Sequence, residues 1–100
     1  MPQAWQNGAM AQSPYREPGP LSEALAKLFL TQQKVELGWT DQDVADRTGI
    51  SRAQINHIMK GRKQPTLGEI DAICAALKLP FAETVAAADK ASMRRHFNQK

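Results

Sequence analysis

A short turn, Gly49-Ile50-Ser51, constrains the fold of this chain more than any other feature. It lies between two segments with helical patterns, and the first of them ends after barely two turns. Glycine adopts a positive φ at little cost and serine caps a helix, so Gly49 can end one helix and Ser51 can begin the next. Ile50 can fill the gap between them. The sequence therefore predicts two short helices held at a fixed, steep angle.

Cap residues predict another helix before the two that flank the turn. They also mark where the first of those two helices begins. Ser22 can cap a first helix over residues 22 to 37, and Gly38 stands where a left-handed residue would end it. The apolar residues of this helix recur at helical spacing: Leu21, Leu25, Leu28 and Phe29. Thr40 precedes an acidic first turn, which the helix dipole favours, so the second helix begins there and ends near Thr48.

Two capping boxes mark the next two helices. In this motif a Ser or Thr and a Glu or Gln three residues later satisfy each other's backbone N–H groups. Ser51 with Gln54 has this form, and Thr66 with Glu69 repeats it. The fourth helix has one apolar stripe, made of Ile70, Ile73, Cys74 and Leu77. Because no basic neighbour would lower its pKa, Cys74 is predicted to be a core residue and not a reactive thiol.

A fifth helix is predicted after Pro80, a residue that suits a first turn. Phe81, Val85 and a run of alanines can carry this helix toward Lys90. No segment alternates with the period of two that indicates a strand. The predicted fold class is therefore all-α, with five short helices.

Composition divides the 100 residues into one small domain and two tails. Four of the six prolines fall in residues 1 to 20, among Gln, Asn, Gly and Ser. Such a segment cannot bury enough apolar surface to offset its ordering entropy, so we predict a disordered tail. Its one cation, Arg16, favours a passive tail over a DNA-binding arm. Residues 21 to 89 form the helical domain, and residues 90 to 100 form a basic tail.

Composition also argues against several classes of function. A single cysteine and the absence of paired Cys or His spacing indicate no disulfide, no metal and no cofactor, and favour the cytoplasm. Neither His57 nor His96 has a partner at metal-binding or catalytic spacing, and no nucleophile–base or two-carboxylate pairing indicates an enzyme. The longest apolar runs are too short to span a membrane, and the amino end lacks the features of a secretory signal.

The helix after the turn is predicted to have two different faces. At about 100° per residue, Ile55 and Ile58 point to one side. The opposite arc carries Arg52 at its edge, Ala53, Asn56, His57 and Lys60. Residues 51 to 63 hold four cations and no acid, whereas residues 64 to 89 hold four acids and one lysine. The two helices thus form a helix-turn-helix whose second member can enter a DNA major groove, and double-stranded DNA is the predicted partner.

The stretch LGWTDQDVADRTGISRAQINHIMKGRKQPTLGEIDAICAALKLP resembles the helix-turn-helix family of phage lambda repressor and Cro, also called the xenobiotic-response-element family of bacterial regulators. The match includes the turn at Gly49, the pair Ile55 and Ile58, and the loop from Gly61 to Pro65. With the first helix it covers about two thirds of the chain. The resemblance implies a lambda-repressor-like five-helix domain that binds specific DNA as a twofold dimer and regulates transcription.

Two positions depart from the pattern of this family. The family usually has Gln directly after the residue that caps the second helix, where it braces the phosphate backbone. Asp41 stands there in this chain and would repel phosphate, so Gln42 is expected to take over that contact. The family also often pairs an Arg late in the first helix with a Glu late in the third, but Lys34 and Met59 occupy those positions.

Side-chain chemistry and the matching positions assign four base contacts. Arg52, on the first turn of the third helix, can contact guanine with two hydrogen bonds, which discriminates by about 1 to 3 kcal/mol. Ala53 offers a methyl surface to thymine. Asn56 and His57 can donate to or accept from base edges or nearby phosphates.

A further group is predicted to hold the phosphate backbone and to set register without reading sequence. Its members supply positive charge, side-chain amides, or the N–H groups at the starts of the second and third helices. They are Thr40, Gln42, Ser51, Gln54, Lys60, Arg62 and Lys63.

Three hypotheses for function follow. The leading one is a repressor of phage or bacterial type that acts as a homodimer. Phe81 and Val85 are its predicted dimer contact, although both could equally be core residues. The second is an antitoxin that represses its own operon and binds a toxin through one of its tails. The third is a protein-interaction module on the same fold, for which Asp41 is the best support.

Overall fold

The computed structural model describes residues 18–98, and the side chains of residues 18–93. Within that range the chain forms five α-helices and no strand, which confirms the all-α prediction. Their bounds are α1 Pro20–Thr31, α2 Asp41–Thr48, α3 Arg52–Met59, α4 Leu67–Leu77 and α5 Phe81–Asn98. Most of the predicted N-terminal tail, residues 1–17, lies outside the described residues.

The start of α1 differs from the sequence-based expectation. Gly19 is the N-cap and Pro20 takes the first helical position, where the N–H that proline lacks would have had no partner in any case. The N–H of Glu23 donates to the Gly19 carbonyl at 3.0 Å. The prediction that Ser22 caps this helix is therefore wrong, because Ser22 lies inside the first turn and is buried.

A π-helical turn, Gln32–Glu36, follows α1 before Gly38 ends the helical segment with a φ of +66°. This left-handed glycine was predicted, but the π turn was not. Gln32 donates from Nε2 to the Leu77 carbonyl oxygen at 2.9 Å and so holds the end of α4. Gln33, the next residue, is fully buried.

The apolar stripe of α1 is confirmed only in part. Leu25 and Phe29 are buried, but Leu21 and Leu28 remain 41% and 37% exposed. The other buried residues of α1 are small: Ser22, Ala24 and Ala26.

The turn between α2 and α3 has the predicted geometry. Gly49 ends α2 with a φ of +79°, and Ile50 is half-buried against the core. The Ile50 N–H donates to Oγ1 of Thr48 at 3.1 Å, which satisfies the backbone inside the turn. Ser51 Oγ accepts from the N–H of Gln54 at 3.2 Å, so the serine half of the predicted capping box forms. These contacts fix the turn that joins the two helices.

Complete capping boxes start α2 and α4. Thr40 and Asp43 form the first, and Thr66 and Glu69 form the second, as predicted for that pair. The backbone N–H of Thr40 lowers the pKa of Asp43 by donating to its carboxylate at 2.9 Å. Each box satisfies two N–H groups that a helix start would otherwise leave without a partner.

All five helices contribute to one hydrophobic core. The buried residues that pack together in this core are Ala24, Leu25, Phe29, Val44, Ala45, Ile55, Ile58, Met59, Ile70, Ile73, Cys74, Leu77 and Ala88. The predicted stripe of α4 is therefore confirmed. Burial raises the pKa of the Cys74 thiol, which agrees with its predicted role as a core residue.

α5 is longer than the sequence indicated. It begins directly after Pro80, as expected, but continues past Lys90 to Asn98. No glycine or proline follows Pro80 to end it, and alanine, lysine, methionine and arginine all favour a helix. The segment predicted as a basic tail, residues 90 to 100, thus begins inside α5.

We expect Gly49→Ala and Gly68→Ala to change stability in opposite directions. A Cβ at Gly49 would meet nothing within 4 Å, so the cost there is that of a left-handed alanine, roughly 1–2 kcal/mol. Gly68 lies in the first turn of α4, where a Cβ would come no closer than 4.0 Å to Thr66, and alanine should stabilise by up to about 1 kcal/mol. Urea unfolding followed by circular dichroism measures both. Equal effects would contradict the strained turn.

Candidate nucleic-acid interface

α3 has one buried face and one exposed face, as predicted. Ile55, Ile58 and Met59 are buried, with at most 3% of their surface exposed. The four predicted base-contact residues line one open surface concavity of ≈ 410 Å³: Arg52, Ala53, Asn56 and His57. The structure therefore brings these four side chains together on the outer side of a helix whose inner side is anchored in the core.

Asn56 is the member of this group that another helix holds in place. Its amide nitrogen Nδ2 donates to Oδ2 of Asp41 at 2.9 Å. Asp41 is the first residue of α2, 15 positions earlier in the chain. The exposed face of α3 is therefore tied to the start of α2 by a side-chain contact as well as by the turn.

Gln33 completes this contact from the other side. Its Nε2 donates to Oδ1 of Asp41 at 2.8 Å and lies 3.2 Å from the carbonyl oxygen of Trp39. Gln33 is fully buried, and its own Oε1 is buried and has no hydrogen-bond partner among the described residues. We call Gln33, Asp41 and Asn56 the carboxylate bridge. It links the π turn, α2 and α3.

The pKa of Asp41 is lowered from its usual value, so its carboxylate is ionised near neutral pH. Partial burial alone would raise this pKa. The hydrogen bonds from Gln33 and Asn56 outweigh that effect, and the positive charges of Lys34 and Lys60 add to them. The ionised carboxylate can only accept hydrogen bonds, which is the chemistry that two amide groups require of it.

Two of the predicted phosphate contacts already have partners within the chain. Gln42 donates from Nε2 to Oδ1 of Asp46 at 2.8 Å. Lys63 lies 2.6 Å from Oε1 of Glu69 in an ion pair that leaves 25% of the Lys63 side chain exposed. Partial burial would raise the pKa of Glu69, but the Lys63 contact and the N–H of Thr66 lower it. Lys63 thus supports the start of α4.

The other predicted phosphate contacts are placed differently. Gln54, Lys60 and Arg62 are exposed on or just after α3. Within residues 18–93, neither Arg62 nor Lys60 forms an ion pair. Thr40 and Ser51 use their hydroxyl oxygens to cap α2 and α3, so they lie at the two helix starts where the sequence placed them.

The second departure from the family pattern, Met59, has a simple structural outcome. Met59 is 3% exposed and belongs to the hydrophobic core, whereas Lys34 is exposed in the π turn. The position where the family often has the Glu of this pair thus holds a core residue in this chain. Replacing a buried ion pair with apolar packing is often neutral or favourable for stability.

Within residues 18–93, no three His, Cys, Asp or Glu side chains come together to hold a metal ion. No helix among the described residues is both long and apolar enough to cross a bilayer.

The sequence profile of a helix-turn-helix family matches residues 30–83, which is more than half of the chain. The chain belongs to this family, the lambda repressor/Cro-like helix-turn-helix proteins, as the motifs had indicated. It is a family of DNA-binding transcription regulators. The match includes α2, the turn, α3 and α4, and it therefore contains the concavity and the carboxylate bridge.

Two solved structures have a similar fold. A crystal structure of the clp gene regulator ClgR from Corynebacterium glutamicum has a TM-score of 0.65 and 23% sequence identity, and the likeness covers 84% of this chain and 87% of that one. A second crystal structure of ClgR from C. glutamicum has a TM-score of 0.59 and 24% identity, covering 70% of this chain and 90% of that one. No curated protein matches the chain in sequence.

Proposed function

We propose that this protein is a sequence-specific, double-stranded-DNA-binding repressor of transcription that acts as a twofold dimer. The observation that carries the proposal is the outer face of α3. That face is exposed, has no acidic residue, and lies on a helix whose inner face is fixed in the core. A rigid basic helix of this kind can enter a major groove. A helix without such support would lose conformational entropy when it became ordered on the DNA. The name of the ClgR neighbours, a gene regulator, agrees with this assignment.

Base readout is assigned to the concavity residues. Arg52 is exposed on the first turn of α3 and can donate two hydrogen bonds to O6 and N7 of guanine. Ala53 and His57 follow on the same face, with a methyl group for thymine and a ring nitrogen for a base edge or phosphate. Asn56 adds an amide whose orientation is fixed by Asp41.

Backbone contacts are assigned first to the exposed cations. Lys60 and Arg62 lie at the end of α3 and just beyond it, where they can reach phosphates beside the groove. Gln54 and the starts of α2 and α3, at Thr40 and Ser51, supply polar groups. Gln42 and Lys63 already donate to Asp46 and Glu69, whose negative charges lie beside them, so we expect a smaller contribution from these two residues.

A repressor requires fewer binding surfaces than an activator does. A protein that occupies an operator can exclude other proteins from that DNA by steric overlap alone. Activation requires in addition a surface that contacts the transcription machinery. The interface described above supplies the first requirement, and repression is therefore the regulation that we propose.

The two alternative functions stay open to different degrees. The interaction-module hypothesis rested on the carboxylate of Asp41, which would repel phosphate. In the structure both oxygens of that carboxylate accept hydrogen bonds from within the chain, so Asp41 no longer favours a protein partner over DNA. The antitoxin hypothesis stays a prediction, and copurification of a toxin with the full chain would support it.

We expect Arg52→Ala and Lys60→Ala to weaken DNA binding in different ways. Lys60→Ala should weaken binding to all duplexes alike and reduce the salt slope of log K by about one unit. Arg52→Ala should reduce binding to a selected site by roughly 5- to 150-fold and leave random DNA nearly unaffected. Fluorescence anisotropy with a selected and a scrambled duplex, over a range of salt concentrations, measures both effects.

Lys90→Ala is the matched control for the loss of one positive charge. Lys90 is exposed on α5, away from the concavity, and its replacement should change neither the specific nor the salt-dependent binding. Equal losses on selected and scrambled DNA for Arg52→Ala would remove Arg52 from base readout.

The dimer is assigned to the start of α5. One helix-turn-helix reads only a few base pairs, which is too few to single out a site in a genome. Phe81 and Val85 are half-buried and pack against the core, so their inner sides are already used and only their outer edges remain for a second subunit. Because so little apolar surface remains for the contact, we expect a weak dimer whose two chains associate more strongly on DNA.

Sedimentation with and without a selected duplex tests this assembly. We expect two chains per duplex at saturation, on an inverted repeat whose half-site centres lie about 34–36 Å apart. Val85→Glu should weaken the binding of the second chain, whereas Lys90→Glu, farther along α5, should not. One chain per duplex on a site without inverted symmetry would contradict the dimer.

A further inference from the structure

We infer that Asp41 is a specificity-positioning residue: it fixes the side-chain amide of Asn56 so that the carbonyl oxygen faces the DNA and selects a base with an amino group. This inference rests on the proposed function. The amino groups that the major groove offers are N4 of cytosine and N6 of adenine. Guanine and thymine present oxygen acceptors in the same groove.

The geometry leaves the Asn56 amide one favourable orientation. Its Nδ2 donates to Oδ2 of Asp41 at 2.9 Å. Turning the amide over would bring Oδ1 of Asn56 against the oxygen of an ionised carboxylate, where two acceptors repel each other. The carbonyl oxygen of Asn56 therefore lies on the side away from Asp41. The amide nitrogen of Asn56 has a second N–H, which Asp41 Oδ2 does not use.

Asp41 is itself prevented from turning away. Its other oxygen, Oδ1, accepts from Nε2 of Gln33 at 2.8 Å. Gln33 is fully buried and also contacts the Trp39 carbonyl oxygen, so it is fixed by the core and by the backbone before α2. Hydrogen bonds to an ionised acceptor are stronger than those between neutral groups. The carboxylate bridge thus transfers the rigidity of a core glutamine to a side chain on the surface.

This arrangement gives Asp41 a role that a neutral amide could not have. A glutamine or asparagine at position 41 can present its nitrogen to Asn56 in place of an oxygen, so it no longer excludes the turned-over orientation of Asn56. An asparagine that can turn over pairs with donor bases in one orientation and with acceptor bases in the other. An ionised carboxylate at this position removes the second choice.

Selection of bound duplexes from a random pool, read as base frequencies at each operator position, tests the inference. The wild-type chain and Asn56→Ala together identify the position that Asn56 reads. There the wild type should favour adenine or cytosine over guanine and thymine by roughly tenfold. If the second N–H of Asn56 also reaches N7, adenine should exceed cytosine; if only the oxygen makes contact, the two should be similar.

Asp41→Asn should reduce this preference to about twofold or less while leaving the other operator positions unchanged. Asp46→Asn is the matched control, because it removes the same charge from the exposed side of α2 and should keep the full preference. In an Asn56→Ala background, Asp41→Asn should change no base frequency. A residue with only a structural role would shift all positions together.

Several results would overturn the inference. They are an unchanged preference in Asp41→Asn, an equal loss in Asp46→Asn, a loss spread over all positions, and an Asn56-dependent preference for guanine or thymine. Circular dichroism shows whether Asp41→Asn is folded, and Asp41→Ser serves as a second variant if it is not.

A measurement on the wild-type chain tests the inference without any variant that could fail to fold. Replacing the selected base by an analogue without its amino group should cost roughly tenfold in affinity, and no loss would overturn the inference. If the wild type selects no DNA site at all, the proposed function fails and this inference fails with it. A selected site that Asp41→Asn reads unchanged refutes the inference alone.

Discussion

Burial of the inner face of α3 is the interaction on which the rest of the structure depends. Ile55 and Ile58 are at most 1% exposed, and each buried side chain of this size contributes about 1.5–3 kcal/mol of hydrophobic free energy. An eight-residue helix would not be stable alone in water, so this burial is what makes α3 exist. It also determines which side faces outward. The same residues that anchor the helix therefore aim Arg52 and His57 away from the core.

Charge is distributed in keeping with this division. The exposed cations Lys60 and Arg62 lie beside the concavity. Lys63 lies near the start of α4, and its charge is neutralised by an ion pair with Glu69. The negative charge of Asp41 lies close to the proposed DNA surface, and two amide groups from the protein stabilise it there. In a protein that binds phosphate, such a carboxylate is unfavourable unless it has another task. Orienting Asn56 is a task that accounts for its position.

Local signals in the sequence predicted most of the fold, and the rest depended on contacts between distant residues. The left-handed Gly49 and the Thr66–Glu69 capping box are set within four residues of chain, and both were predicted correctly. Ser22 was wrongly chosen as a cap because Pro20 offered a better start two residues earlier. The outer face of α3 followed from helical periodicity. The contact of Asp41 with Gln33 and Asn56 did not, since it spans 8 and 15 positions and depends on an unpredicted π turn. The departure of Asp41 from the family pattern was the only signal of it.

The central claim, that the outer face of α3 is the surface that binds DNA, is tested most directly by nuclear magnetic resonance. The measurement is the change in backbone and side-chain amide shifts of the full chain on titration with a selected duplex. We predict that the largest changes occur in residues 51–62 and at the start of α2, and that they include the side-chain amide of Asn56. Changes concentrated in the groove between α1 and α5, near Leu28 and Ala87, with α3 unaffected, would contradict it.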